Sequence, residues 1–184
     1  MAAITEARPA PVAETGRERV AAGQTDQPLA QFLTFTLSGE LFAIGILSVK
    51  EIIEYHRLTE VPMMPESVRG VINLRGAAVP VLDLQARFGR PAATVGKRTC
   101  IVIVEIEAGS DRQVVGMIVD AVDEVIEIAA SEILPPPSLG TRIRADFIRG
   151  MGKIKGRFVI VLDADRIFSR ETMAAVVQLS ALDG

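Results

Sequence analysis

Two stretches of this chain are copies of one another, and that limits its fold more than any other feature. Residues 69–88 (RGVINLRGAAVPVLDLQARF) lie in gapless register with residues 149–168 (RGMGKIKGRFVIVLDADRIF), and eight of the twenty positions are identical. The identities are Arg69/Arg149, Gly70/Gly150, Gly76/Gly156, Val79/Val159, Val81/Val161, Leu82/Leu162, Asp83/Asp163 and Phe88/Phe168. Upstream, Phe42 to Glu54 (FAIGILSVKEIIE) aligns with Val115 to Glu127 (VGMIVDAVDEVIE), and the loop Val61 to Pro65 is answered by Ile133 to Pro137. The halves, about 31–91 and 98–168, therefore read as two copies of one strand-rich unit. A solenoid needs roughly three or more copies to cover its faces, so a pair of small barrels with a groove between them is the expected solution.

Local patterns support an all-β class with short helices. Phe32 to Leu37 alternates as a strand, Ser38-Gly39-Glu40 is a turn, and Leu41 to Ile46 returns as a second strand. Val49 to Tyr55 fits either a helical turn or a strand, and Glu66 to Val71 reads as one helical turn. Ala77 to Leu82 is a strand and Leu84 to Phe88 a short helix. Thr99 to Ile106 is the clearest strand, and its β-branched residues suit burial on both faces. Val114 to Val119 pairs back to it across Ala108 to Asp111. Glu124 to Ile128, a loop from Leu134 to Gly140, a strand near Phe158 to Leu162 and a helix from about Asp163 complete the chain. Residues 1–30 carry too few large apolar side chains to offset their ordering entropy and are expected to be a disordered tail. The folded domain is then 31–170, with 171–184 as a C-terminal helix or tail.

Charge and composition narrow the function. A net charge of −3 and the absence of Lys/Arg blocks argue against nucleic acid, and 4% aromatics leave few stacking faces for bases or sugars. The longest positive stretch, Arg142 to Arg149, is interrupted by apolar residues and Asp146, and reads as a solvated strand or turn edge. Apolar runs are all cut well short of a membrane span of about 18 residues. No apolar segment follows a basic start, as a secretory signal would require, and a single cysteine suits a reducing compartment. Direct membrane insertion is not expected, and a cytoplasmic location is.

Catalysis finds little support. Asp83 and Asp163 occupy equivalent positions and invite an acid–base dyad, as in a carboxylate hydrolase, but each ends an apolar strand where it can cap a short helix. The residues after them are Leu84 and Ala164, without the small hydroxyl residue and Gly of an aspartic protease. His56 is the single histidine, in the polar stretch Tyr55-His56-Arg57, and Cys100 lies in an apolar strand, so a nucleophilic pair is not expected. One His offers no metal-ligand spacing, no glycine pattern opens a phosphate loop, and no cofactor is expected. Arg75 stands apart. It sits in a polar turn between apolar runs, its copy is Lys155, and its guanidinium fork suits either a partner's carboxylate or an internal tether.

Several of these motifs together resemble the CheW domain. They are Phe35-Thr36-Leu37, Phe42-Ala43-Ile44, Val49-Lys50-Glu51-Ile52, Gly70-Val71-Ile72-Asn73-Leu74-Arg75-Gly76 with Pro80-Val81-Leu82-Asp83-Leu84, Gly116-Met117-Ile118-Val119-Asp120 with Val122, and Gly150-Met151-Gly152. The resemblance spans roughly residues 30–170. It implies two intertwined five-stranded SH3-like barrels and a non-enzymatic adaptor in chemotaxis signal transduction. The implied partners are the cytoplasmic hairpin tip of chemoreceptors and the regulatory domain of the histidine kinase CheA, met at receptor arrays. Carried over position by position, the receptor-binding groove comprises Ile46, Val49, Arg75, Cys100, Val122 and Val125, and kinase coupling falls to Glu51 and Gly70. Cys100 stands where a valine is common. A related adaptor of a twitching or other non-flagellar pathway is the alternative, ahead of an SH3-like nucleic-acid binder or the dyad hydrolase.

Overall fold

The computed structural model describes residues 28–108, 110–136 and 143–168. Ten strands form in chain order: β1 (Leu29–Leu37), β2 (Glu40–Gly45), β3 (Val49–Glu54), β4 (Val68–Leu74), β5 (Ala77–Asp83), β6 (Cys100–Ala108), β7 (Asp111–Val119), β8 (Ala121–Ala129), β9 (Ile148–Ile154) and β10 (Arg157–Leu162). Two four-residue helices, α1 (Leu84–Arg87) and α2 (Ala164–Ile167), follow β5 and β10. One five-stranded sheet has the order β8-β1-β2-β10-β9 and the other β3-β6-β7-β5-β4.

Those two orders are the same order under the repeat. If β1–β5 are matched to β6–β10, the first sheet maps strand for strand onto the second. Each sheet therefore takes two strands from one copy and three from the other, joined by the parallel pairs β2–β10 and β5–β7. The chain crosses between sheets at a 3-10 turn, Ile46–Ser48, in the first copy and at the single residue Asp120 in the second. The expected intertwining is thus present.

Closure into barrels is minimal. Within each sheet the segment after the third strand curls round to the far edge and makes one isolated bridge there. In one sheet Thr59 exchanges two backbone hydrogen bonds with Val71 (3.0 and 2.8 Å), and in the other Leu134 does so with Met151 (2.9 and 2.7 Å). Gly70 and Gly150 make room for these bridges. A Cβ on Gly70 would lie 2.5 Å from the Thr59 carbonyl oxygen, and one on Gly150 would overlap Ile133 and the Leu134 carbonyl.

Three apolar cores result. Ile72, Val79, Val81, Ile101, Ile103 and Ile118 fill the inside of one sheet, and Phe32, Ala43, Ile128, Val159 and Val161 fill the other. The largest lies between the sheets, where Phe35, Phe42, Phe88 and Phe147 contact one another in series with ring centroids about 6 Å apart. Each fully buried phenyl or aliphatic side chain there contributes about 2 kcal/mol, which makes this shared core the main tie between the two sheets.

The structure amends several local expectations. Val49–Glu54 resolves to a strand, and the helical turn expected at Glu66 to Val71 is instead the start of β4. There the alternation Val68, Gly70, Ile72 buries one face, which a helix could not do. In the basic stretch, Phe147 and Ile148 are not a solvated edge but part of the central core, while Arg142 lies outside the described residues. Strand β1 begins at Leu29, inside the segment expected to be tail. Residues 1–27 of that tail, residues 137–140 of the expected loop and the C-terminal stretch 169–184 lie outside the described residues. Among the described residues no helix is long and apolar enough to cross a membrane.

Candidate partner-binding surface

The β4–β5 hairpin carries Arg75 at its tip. Arg75 (φ 52°) and Gly76 (φ 88°) both take positive φ, the two-residue turn that matches strand twist, and Asn73 Oδ1 accepts the Gly76 N–H at 2.8 Å. This geometry aims the Arg75 side chain back across the sheet mouth to β3. Its Nη1 and Nη2 donate to Glu51 Oε1 and Oε2 at 3.0 and 2.8 Å, a two-pronged ion pair at an exposed edge. The hydrogen bonds from Arg75, and then its charge, hold the Glu51 carboxyl below the usual carboxylate range, and Arg75 is raised in return. The second copy repeats the device more loosely: Lys155 (φ 50°) at the β9–β10 tip lies 3.7 Å from Glu124, the residue equivalent to Glu51.

Glu51 and Arg75 were assigned to different surfaces by resemblance, yet the fold joins them in one ion pair. Ile46, Val49, Cys100 and Val122 pack, partly buried, against the rim of the central core, whereas Val125 stands half exposed on β8. Its equivalent on β3, Ile52, is also half exposed. A cleft of about 540 Å³ lies elsewhere on the rim and is lined by Leu29, Phe32, Ile46, Leu47, Glu127 and Arg149 among others. Of the expected groove residues it contains Ile46 alone. Leu47 is not among the expected site residues: it follows the expected strand Leu41 to Ile46, and the 3-10 turn Ile46–Ser48 swings it outward to 99% exposure.

The candidate catalytic residues are engaged structurally. Asp83 caps α1 through the N–H groups of Gln85 and Ala86, and accepts from Arg69 and the Ala93 N–H as well. Asp163 caps α2 through Asp165 and Arg166. The two carboxylates serve separate helices, so the dyad reading is set aside. The Cys100 thiol donates to the Arg98 carbonyl at 3.3 Å, and burial, reinforced by Glu54, raises its pKa, which keeps it a thiol. His56 instead lies by the Glu54 carbonyl, so no nucleophile–base pair forms. No group of His, Cys, Asp and Glu able to hold a metal occurs among the described residues.

Residues 31–172 match the CheW-like domain family. The chain belongs to the CheW-like family. It is 33% identical over 146 residues to the chemotaxis protein CheW of Klebsiella aerogenes, covering 79% of this chain and 86% of that one. To the chemotaxis protein CheW of Rhizobium meliloti it is 32% identical, with 79% and 91% covered. Protein FrzA of Myxococcus xanthus is 29% identical, with 76% and 83% covered. A crystal structure of the scaffolding protein TtCheW from Thermoanaerobacter tengcongensis superposes with a TM-score of 0.70 at 36% identity, over 79% of this chain and 91% of that one. The two CheW proteins and TtCheW carry the names of chemotaxis and scaffolding proteins, not of enzymes, which agrees with the structural roles of Asp83, Asp163 and Cys100.

Proposed function

We propose that this CheW-like chain is an adaptor that couples the cytoplasmic tips of chemoreceptors to the regulatory domain of the histidine kinase CheA within receptor arrays. The observation that carries this reading is the Glu51–Arg75 pair, a preorganised charged fork on an exposed strand edge beside the half-exposed Ile52. An apolar centre with an oriented arginine at its rim is the usual anatomy of a protein interface. The groove residues Ile46, Val49, Cys100, Val122 and Val125 offer apolar surface to an amphipathic receptor helix, and Gly70 supports the kinase-facing side by keeping the β4 edge in place. The adaptor would pass a receptor shift to the kinase by binding its two packings unequally, without chemistry.

Arg75 tests the proposal. Arg75→Ala should weaken assembly with receptor and kinase by about 1–3 kcal/mol. Exchanging the pair (Glu51→Arg with Arg75→Glu) keeps the internal tether but inverts what a partner meets, and should restore folding stability without restoring assembly. Full recovery of assembly in the exchanged protein, measured by co-sedimentation with receptor fragments and kinase, would reduce Arg75 to a tether.

A further inference from the structure

The two copies differ in what their equivalent hairpins show to solvent. Where β4–β5 carries Asn73, Arg75, Ala77 and Ala78, the β9–β10 hairpin carries Lys153, Lys155, Arg157 and Phe158. Phe158 is 65% exposed and stands directly opposite Lys153, whose Nζ lies 5.7 Å from the ring centroid. Two residues back along β9, Met151 is bridged to Leu134, which is 62% exposed, where the first copy has Val71 and Thr59. Paired residues and residues two apart on a strand share a face, so Leu134, Met151 and Phe158 form one apolar strip. Lys153 lies on that face beside Phe158, Lys155 stands at the hairpin tip, and Arg157, paired with Ile154, projects from the opposite face at the exposed end of β10. Lys155 reaches Glu124, but Lys153 and Arg157 make no ion pair among the described residues. Folding does not require these side chains, since the first copy builds the same hairpin with Asn73, Ala77 and Ala78.

We propose that this strip is a docking surface for an acidic amphipathic segment of a partner protein, one that sets an aliphatic side chain on Phe158 and carboxylates about the hairpin tip that carries Lys153, Lys155 and Arg157. The site goes beyond the adaptor reading and lies on the other sheet from the Glu51–Arg75 edge. An apolar centre beside a cationic hairpin tip, with Lys153 and Arg157 in no ion pair among the described residues, selects that chemistry. An anionic membrane fits less well, because three cations at about 1 kcal/mol each and one aromatic fall short of stable anchoring.

The test selects phage-displayed random peptides on the full chain and counter-selects them on a Lys153→Glu, Arg157→Glu, Phe158→Ala variant. Circular dichroism should show that variant folded like the parent, the three side chains being exposed. Enriched peptides should combine acidic and aliphatic residues, bind the parent at least about tenfold tighter than the variant, weaken as salt rises, and bind Arg75→Ala as well as the parent. Failure to obtain peptides that discriminate, enrichment of non-acidic peptides, or equal loss on Arg75→Ala would overturn the proposal. Variant-sensitive binding to phosphatidylglycerol vesicles, or variant-sensitive self-association, in place of peptide binding would overturn it too by giving the strip another occupant.

Discussion

Replacing Asp83 by Ala should destabilise the fold by about 3 kcal/mol, whereas the same change at its twin Asp163 should cost about 1 kcal/mol. Sequence treats the two as equivalent, and both cap a short helix. Their surroundings differ. Asp83 is fully buried and its Oδ2 accepts from Arg69 Nη1 at 2.7 Å and the Ala93 N–H at 2.8 Å, while Oδ1 accepts the Gln85 N–H at 2.9 Å. Truncation would leave the half-buried Arg69 cation and these buried N–H groups unpaired. Asp163 is part exposed, caps at 3.1 and 3.3 Å, and meets Arg166 only at 3.6 Å, so water can replace it. Urea denaturation with unchanged m-values would read the difference. Equal losses at the two sites would mean that the Arg69 and Ala93 contacts add nothing.

The second large effect is expected at Gly70. Gly70→Ala should cost about 3 kcal/mol, or roughly 10 °C in melting temperature, because the added Cβ meets the Thr59 carbonyl and Gly70 has φ +156°. The clash falls on the Thr59–Val71 bridge, which closes the mouth of the sheet beside the Glu51–Arg75 pair. Loss of kinase coupling on changing Gly70 would then follow from a displaced edge, not from a lost contact. Gly150→Ala provides the control. It strikes the Leu134–Met151 bridge in the other sheet and should lower stability comparably while leaving the Arg75 edge, and kinase binding by the folded protein, intact. If Gly70→Ala melts like the parent, the bridge does not hold that edge.

How much of this was legible beforehand depends on range. Features set by neighbours in sequence were readable: the polar turn at Arg75 and its copy at Lys155, the Asp83 and Asp163 caps, and the short helices after them. The exchange of strands between the copies was not readable from the repeat, since a strand buries the same alternating residues whichever copy it pairs with; the family resemblance supplied it. The partner of Arg75 was equally hidden, because Glu51 lies 24 residues away and is brought near only by the curl of the sheet. The exposure of Leu47 was hidden because it falls between the expected strand Leu41 to Ile46 and the segment from Val49, where nothing local announces the 3-10 turn that β2 gives way to after Gly45. At Glu66 to Val71 the local residues tolerate a helical turn, and pairing with β5 overrides it.

The proposed adaptor role requires this CheW-like chain to bind the kinase directly, with the Glu51–Arg75 pair contributing to the assembly. Calorimetric titration of the full chain with the regulatory domain of its cognate CheA tests it most directly. Saturable binding in the micromolar range, about −8 kcal/mol, weakened by Arg75→Ala, is the expected result. An absence of heat at several temperatures, with both proteins folded, would contradict the adaptor role and leave only the fold.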